Sequence, residues 1–172
     1  MTFYVFKRYS SKFPLLFSRE KSRLRKIFPK AKIEHIGSSS VPGLGGKGII
    51  DVIVSVPKKD YKRALLKLKR EGYSHIIRDD VPKGMKFLKK FIKYSGNERG
   101  VHVHLTWENS KEWKSKIALR EYLRKHKETA KKYEEFKREG LKYAGGDGIK
   151  YRGYKTPFLN DLTREAMKEY LD

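Results

Sequence analysis

Asp51, His102 and His104 are the residues of this 172-residue chain whose types and spacing most suggest chemistry. Asp51 stands inside the β-branched run Ile49-Ile50-Asp51-Val52-Ile53-Val54. A carboxylate there is costly unless a cation, a hydrogen-bond donor or a metal compensates it. The histidines are two apart in Val101-His102-Val103-His104-Leu105, so on a strand both point to one face. With an aspartate from a neighbouring strand they make a two-histidine, one-carboxylate ligand set, which suits a transition metal such as manganese or zinc better than magnesium. The same groups are also suited to holding a phosphate, passing a proton or satisfying buried polar neighbours. Asp51 and His104 are the candidate catalytic pair; Asp51, His102 and His104 are the candidate metal ligands.

A second group of residues is built for anions. Gly37, Ser38 and Ser39 open a Gly/Ser-rich loop that runs to Lys47 and into the strand carrying Asp51. Glycine and serine let a backbone approach a phosphate and offer it donors. Lys47 adds a point charge at the end of a flexible loop. Arg120 and Arg124 lie one helical turn apart on one face, where two guanidinium forks would clamp a phosphate or carboxylate. Pairing with Glu121 or Glu128 on the surface is the plainer role for them. Tyr133, Lys137, Tyr151, Arg152 and Lys155 interleave rings and bases, a pattern that stacks a base while neutralising phosphates, or that packs helices with snorkelling lysines. Of these, Tyr151 and Lys155 join the candidate phosphate-binding set.

The elements that must position these residues follow from pattern and punctuation. Phe13 to Phe28 carries an imperfect helical stripe stopped by Pro29, and Lys32 to Ile36 reads as a strand. Ile49 to Val56 is a strand ended by Pro57, and Tyr61 to Glu71 a helix stopped by Gly72. Tyr73 to Arg78 is a third strand. Lys86 to Tyr94 and Val101 to Trp107 form an antiparallel pair joined by Ser95 to Gly100. The remainder is helical: one helix capped by Asn109 with Glu112 in capping-box position, a second from Lys127 to Tyr143, and a last one opened by Thr156-Pro157. Gly145-Gly146-Asp147-Gly148 breaks the second from the last. Strands first and helices after predict one α+β domain, 1–172, with a mixed β-sheet and helices packed on it at both ends of the chain.

Bulk composition bounds the function. The chain carries 42 basic against 20 acidic residues, a formal charge of +22, which predicts attraction to nucleic acid, nucleotides or another polyanion. It has no cysteine, so disulfides and thiolate metal sites are excluded. Abundant Lys and Glu without glutamine fit the composition of proteins from hot environments. Met1 to Arg8 holds aromatics but no apolar core, so it does not read as a signal peptide, and no apolar run has membrane-spanning length. A cytoplasmic protein that does not enter membranes is the expectation.

The run HIGSSSVPGLGGKGIIDVIVSV, from His35 to Val56, resembles the signature of the GrpB family, whose usual form is close to HIGSTAVPGLxAKPIIDI. Ala118 to His126 is similar to the family's FRDYLRxHP, and Val101 to Leu105 stands where the family has HHLHV, with Val101 in place of one of its histidines. The likeness runs from about Phe13 into the last helix. It implies a fold similar to the nucleotidyltransferases of the DNA polymerase β type, in which a Gly-Ser loop grips a nucleoside triphosphate and strand carboxylates bind magnesium. It therefore implies a divalent metal cofactor and a nucleotide or phosphorylated small molecule as ligand. One departure weighs against ordinary nucleotidyl transfer: the second carboxylate of such enzymes falls two residues after the first, and here that position is Ile53. Two-metal catalysis needs several anionic oxygens, and one aspartate supplies too few. An inactive anion- or nucleic-acid-binding module and a metal-dependent phosphate hydrolase are the alternatives. The expected pocket lies between the Gly37–Lys47 loop, Asp51, the histidine strand and the arginine helix.

Overall fold

A computed structural model describes residues 5–171; Met1 to Tyr4 and Asp172 lie outside the described residues, including the first half of the segment read above against a signal peptide. Five strands form one mixed sheet in the order β1-β2-β5-β4-β3. They are β1 (Lys32–Ile36), β2 (Ile50–Val56), β3 (Ser74–Ile76), β4 (Lys86–Tyr94) and β5 (Asn97–Trp107). β2 runs parallel to β5, and the other neighbours are antiparallel. The helices are α1 (Phe13–Ile27), α2 (Tyr61–Arg70), α3 (Lys111–Lys125), α4 (Lys127–Ala144) and α5 (Gly148–Leu171). The α+β expectation holds.

Side-chain alternation along the two parallel strands divides the molecule. Ile50, Val52 and Val54 of β2, with Val101, Val103 and Leu105 of β5, are fully buried under α1 and α2. Those helices present Leu16, Leu24, Ala64 and Leu68 at helical spacing. The alternate residues, Asp51, Ile53, His102 and His104, face the other side. There Ile53 packs with Ile36, Ile117 and Trp113, while the rest of the floor is polar. The residue in the second-carboxylate position is thus a core side chain holding α3 to the sheet.

β3 is shorter than the Tyr73 to Arg78 strand read from the sequence, and three further boundaries differ. The β4–β5 hairpin is tighter: Ser95 and Gly96 alone turn it, both at positive φ, so β5 begins at Asn97. α3 is capped by Ser110, whose hydroxyl accepts from Trp113 N; Asn109 sits one residue earlier in the left-handed region. α5 starts at Gly148 instead of Thr156, because Asp147 Oδ1 accepts from Ile149 N and Lys150 N and caps it. Pro157 is carried inside that helix, and the Thr156 hydroxyl bonds back to Arg152 O, so Thr156 is no cap.

Candidate functional site

On the polar side of the sheet, β2, β4, β5 and the three C-terminal helices enclose a cavity of about 330 Å³. This lies at the small end of the range of ligand pockets, roughly 300–1,000 Å³. Gly37, Ser38, Ser39, Lys47, Asp51, His102, His104, Arg120, Tyr151 and Lys155 all border it, as the sequence predicted; Arg124 does not.

At the floor, Asp51 Oδ1 lies 3.2 Å from His102 Nδ1 and 3.2 Å from His104 Nε2. β2–β5 pairing makes this unavoidable, since Asp51 is directly opposite His102 and Ile53 opposite His104. Burial pushes the Asp51 carboxyl up, but the hydrogen bonds it accepts from His102 and His104 outweigh this and hold Asp51 well below the usual carboxylate range. Asp51 is therefore ionised, and both imidazoles donate to it. Burial lowers His104 to about 4 against the pull of Asp51, so that ring is neutral; its Nδ1 is buried with no hydrogen-bond partner among the described residues. Phe87 lies edge-on to both rings.

The loop above is fixed from outside. Gly37, at φ +71°, passes so close to Asp51 that an added Cβ would stand 2.7 Å from its Oδ2. No other residue fits there. Ser38–Ser40 make a single 3₁₀ turn. Ser39 Oγ meets His35 Nε2 at 2.9 Å, and His35, stacked on Phe17, lies under α1 on the far face. Burial lowers His35 to about 4, which makes it a neutral structural histidine. Lys137 of α4, 2% exposed, donates to Ser38 Oγ at 2.7 Å and to Gly45 O, tying the two ends of the loop together.

The arginines serve the fold. Arg120 Nη1 donates to Glu34 Oε2 (2.8 Å) and His35 O (2.9 Å), and its Nε to Glu121 Oε1 (2.6 Å). Arg124 Nε and Nη2 both bind Ser40 O, at 3.0 and 2.8 Å. Their donors brace β1 and the loop to α3, a role the sequence reading did not foresee; the pairing with Glu121 that it did foresee is made by both. The face they define continues one turn back to Lys116, and Lys116 does border the cavity. Lys116 was missed, although the i, i+4 stripe Lys116–Arg120–Arg124 is visible in the sequence.

The cavity thus collects Lys47, Lys116, Lys137, Lys155, Arg78 and Arg152, against the acids Asp51, Asp80 and Glu112. Asp80 pairs with Arg78 (3.0 Å) and lies 3.8 Å from Arg152. Burial, with repulsion from Lys155, depresses Lys47 to about 7 and Lys137 to about 7. Burial and the Lys116 charge bring Lys155 to about 8, and Lys116 is lowered mainly by burial. Tyr151, buried at the centre, has the Lys47 and Lys155 ammoniums each 5.5 Å from its ring centroid, so ring faces compensate part of the charge.

The metal expectation fares differently. Among the described residues no group of three or more His, Cys, Asp or Glu side chains is arranged to hold an ion. His102 and His104 both hydrogen-bond Asp51 Oδ1 inside a ring of cations, and Asp80 is engaged by arginine. This donor set does not fit two-cation chemistry.

Comparison with known proteins supplies the lineage. A family model described as GrpB protein matches residues 5–165. The crystal structure of conserved protein GrpB from Enterococcus faecalis superposes with a TM-score of 0.81 at 29% identity, over 98% of this chain and 100% of that one. Glutamate-rich protein GrpB of Alkalihalophilus pseudofirmus is 27% identical over 161 residues, 91% of this chain and 92% of its own length. UPF0157 protein YqkA of Bacillus subtilis is 31% identical over 136 residues, 76% of this chain, and the match spans 38% of that relative's length. A fainter likeness, with a TM-score of 0.46 and 12% identity, covers 76% of this chain and 45% of a Cid1 poly(U) polymerase chain. Among the described residues no helix is long and apolar enough to cross a membrane.

Proposed function

The chain belongs to the GrpB family, and from that premise we propose that its cavity binds a nucleoside triphosphate or a related phosphorylated small molecule and presents it for attack by an acceptor hydroxyl. The observation that carries this reading is the convergence of four lysines and three arginines, Arg78, Arg120 and Arg152, on one cavity that ends at the Asp51–His102 pair. So many cations repel one another and disfavour their own charged forms. A polyphosphate is the ligand that relieves all of them at once.

The roles divide by position. Ser38, Lys47, Lys116 and Lys155 hold phosphate oxygens, while Ser39 and Lys137 keep the loop in place. The cation cluster supplies the neutralisation that divalent ions give in metal-dependent transfer. Asp51 accepts from His102 Nδ1, which leaves His102 Nε2 as the basic nitrogen. His102 takes the proton of the acceptor hydroxyl, the acceptor oxygen bonds to the α-phosphorus, and the bond to the β-phosphate bridging oxygen breaks. Pyrophosphate leaves among the lysines. His104, with Nε2 on Asp51 and Nδ1 enclosed, positions the carboxylate and moves no proton.

Thermal unfolding against nucleoside triphosphates, inorganic tripolyphosphate and coenzyme A precursors, each with and without magnesium and manganese, tests the reading. A ligand bound by the native state alone must raise the midpoint. The expected result is a rise with triphosphates that needs no metal and is lost in Lys155→Met. A rise that requires both nucleotide and metal overturns the metal-free mechanism. Rises with every polyanion that all vanish in salt overturn the pocket itself and leave a basic binding surface.

A further inference from the structure

A second cavity, of about 310 Å³, opens beside the first along β4 and β5. Lys47, Gly48, Ile49 and His102 border both, so the two spaces adjoin along these residues. Its other walls include Lys7, Lys89, Arg99 and Phe91. Phe91 is 61% exposed. It lies opposite Gly100 in the hairpin, and by strand alternation on the same face as Lys89 and His102. Gly100 leaves bare backbone between Ile49 and Phe91, so no side chain from β5 covers the ring. Arg99, by the same alternation, shares the opposite face with Ile92 and reaches this space at the sheet edge beside Gly48. Lys89 feels Arg78 and Arg152 of the first cavity, and burial with these charges lowers its pKa. Glu98 is the sole acid among the described residues lining this space.

An uncovered ring ringed by cations, with a glycine floor, is a slot for a flat group that carries negative charge. Aromatic stacking with neighbouring lysine and arginine is how proteins hold single nucleotide units without reading their sequence. We propose that this groove is a second nucleotide subsite, with the ring on Phe91 and the phosphate on Lys7 and Lys89. Its place as the acceptor site, with a sugar hydroxyl toward His102, rests on the function proposed above; its binding does not. The unit has two sources of the same chemistry, a free mononucleotide or the terminus of a single strand.

Fluorescence anisotropy of an end-labelled short oligouridine, titrated with the full chain with and without saturating tripolyphosphate, tests this. Tripolyphosphate should leave the strand bound, and Phe91→Ala should weaken the strand roughly tenfold. Because Phe91 is exposed, its loss does not endanger the fold, and Lys89→Ala gives an independent second reading. Displacement of the strand by unlabelled UMP names the mononucleotide as sufficient; failure of UMP to displace it names a chain terminus, and either keeps the subsite. Unchanged affinity in both variants, or complete displacement of the strand by tripolyphosphate, overturns it. Should tripolyphosphate fail to raise the unfolding midpoint while the strand still binds through Phe91, the first-cavity reading falls and this one stands.

Discussion

The two faces of the single sheet are built from the same strands and behave as opposites. Under α1 and α2 the side chains are mostly apolar, and the buried acid there, Glu20, receives the Tyr73 hydroxyl and pairs with Arg23 at 3.4 Å. Under α3, α4 and α5 the floor is an aspartate and two histidines, and the walls are lysines. One face stores stability. The other gives some of it up to hold cations close together, and that difference teaches where the ligand belongs.

The largest effect that would break the contrast lies on the apolar face. Leu68→Ala removes a fully buried side chain and should cost about 2–5 kcal/mol in urea unfolding, with triphosphate affinity unchanged in the folded fraction. On the opposite face the sign should reverse. Lys155→Met, which replaces a crowded cation by an apolar chain of similar length, should stabilise the ligand-free protein by on the order of 1–3 kcal/mol while weakening triphosphate binding. A destabilised Lys155→Met protein would mean that the cations are already balanced without a ligand.

Titration should expose the same asymmetry. In the folded chain Lys47, Lys137 and Lys155 lose their protons near 7, 7 and 8, whereas unfolded lysines keep them to about 10.5. Between those values the unfolded state binds more protons, so stability rises with pH, and the full penalty is present below about pH 7. Calorimetry at pH 8 in buffers of different ionisation enthalpy should correspondingly show proton uptake when tripolyphosphate binds. No uptake would place the anion away from these lysines. The smallest effect belongs to the outer surface: Asp161→Ala, which opens the exposed Arg164–Asp161 pair on α5, should move the unfolding free energy by less than about 0.5 kcal/mol.

Much of this was written in local pattern. Period-two alternation in β2 and β5 put Asp51, His102 and His104 on one face, and the Gly-Ser run placed Gly37 beside them. Lys47, Tyr151 and Lys155 were legible for their types and near-regular elements. Arg78 and Asp80 of the first cavity and Lys89 of the second were not, because they come from the segment after β3 and from β4, and only the folded sheet brings them beside these spaces. Arg120 and Arg124 misled for a related reason. Spacing shows that two guanidiniums share a helix face, but not that Glu34, His35 O and Ser40 O are waiting on that face to take their hydrogens. Thr156-Pro157 looked like a helix start only because Asp147 had already begun the helix two turns earlier.

Lys137 has a further consequence, for the order in which the molecule assembles. The ammonium that joins Ser38 to Gly45 lies 99 and 92 residues along the chain from them. A chain leaving the ribosome therefore holds both halves of the loop long before the tie that closes it exists. Contacts of such separation form late and open early. The binding-competent loop is then a property of the docked C-terminal helices, so any population in which α4 has lifted away is a population with a complete sheet and no site. Amide hydrogens of Ser38 to Gly46 should exchange together with those of α4, ahead of the β2 and β5 amides beneath them.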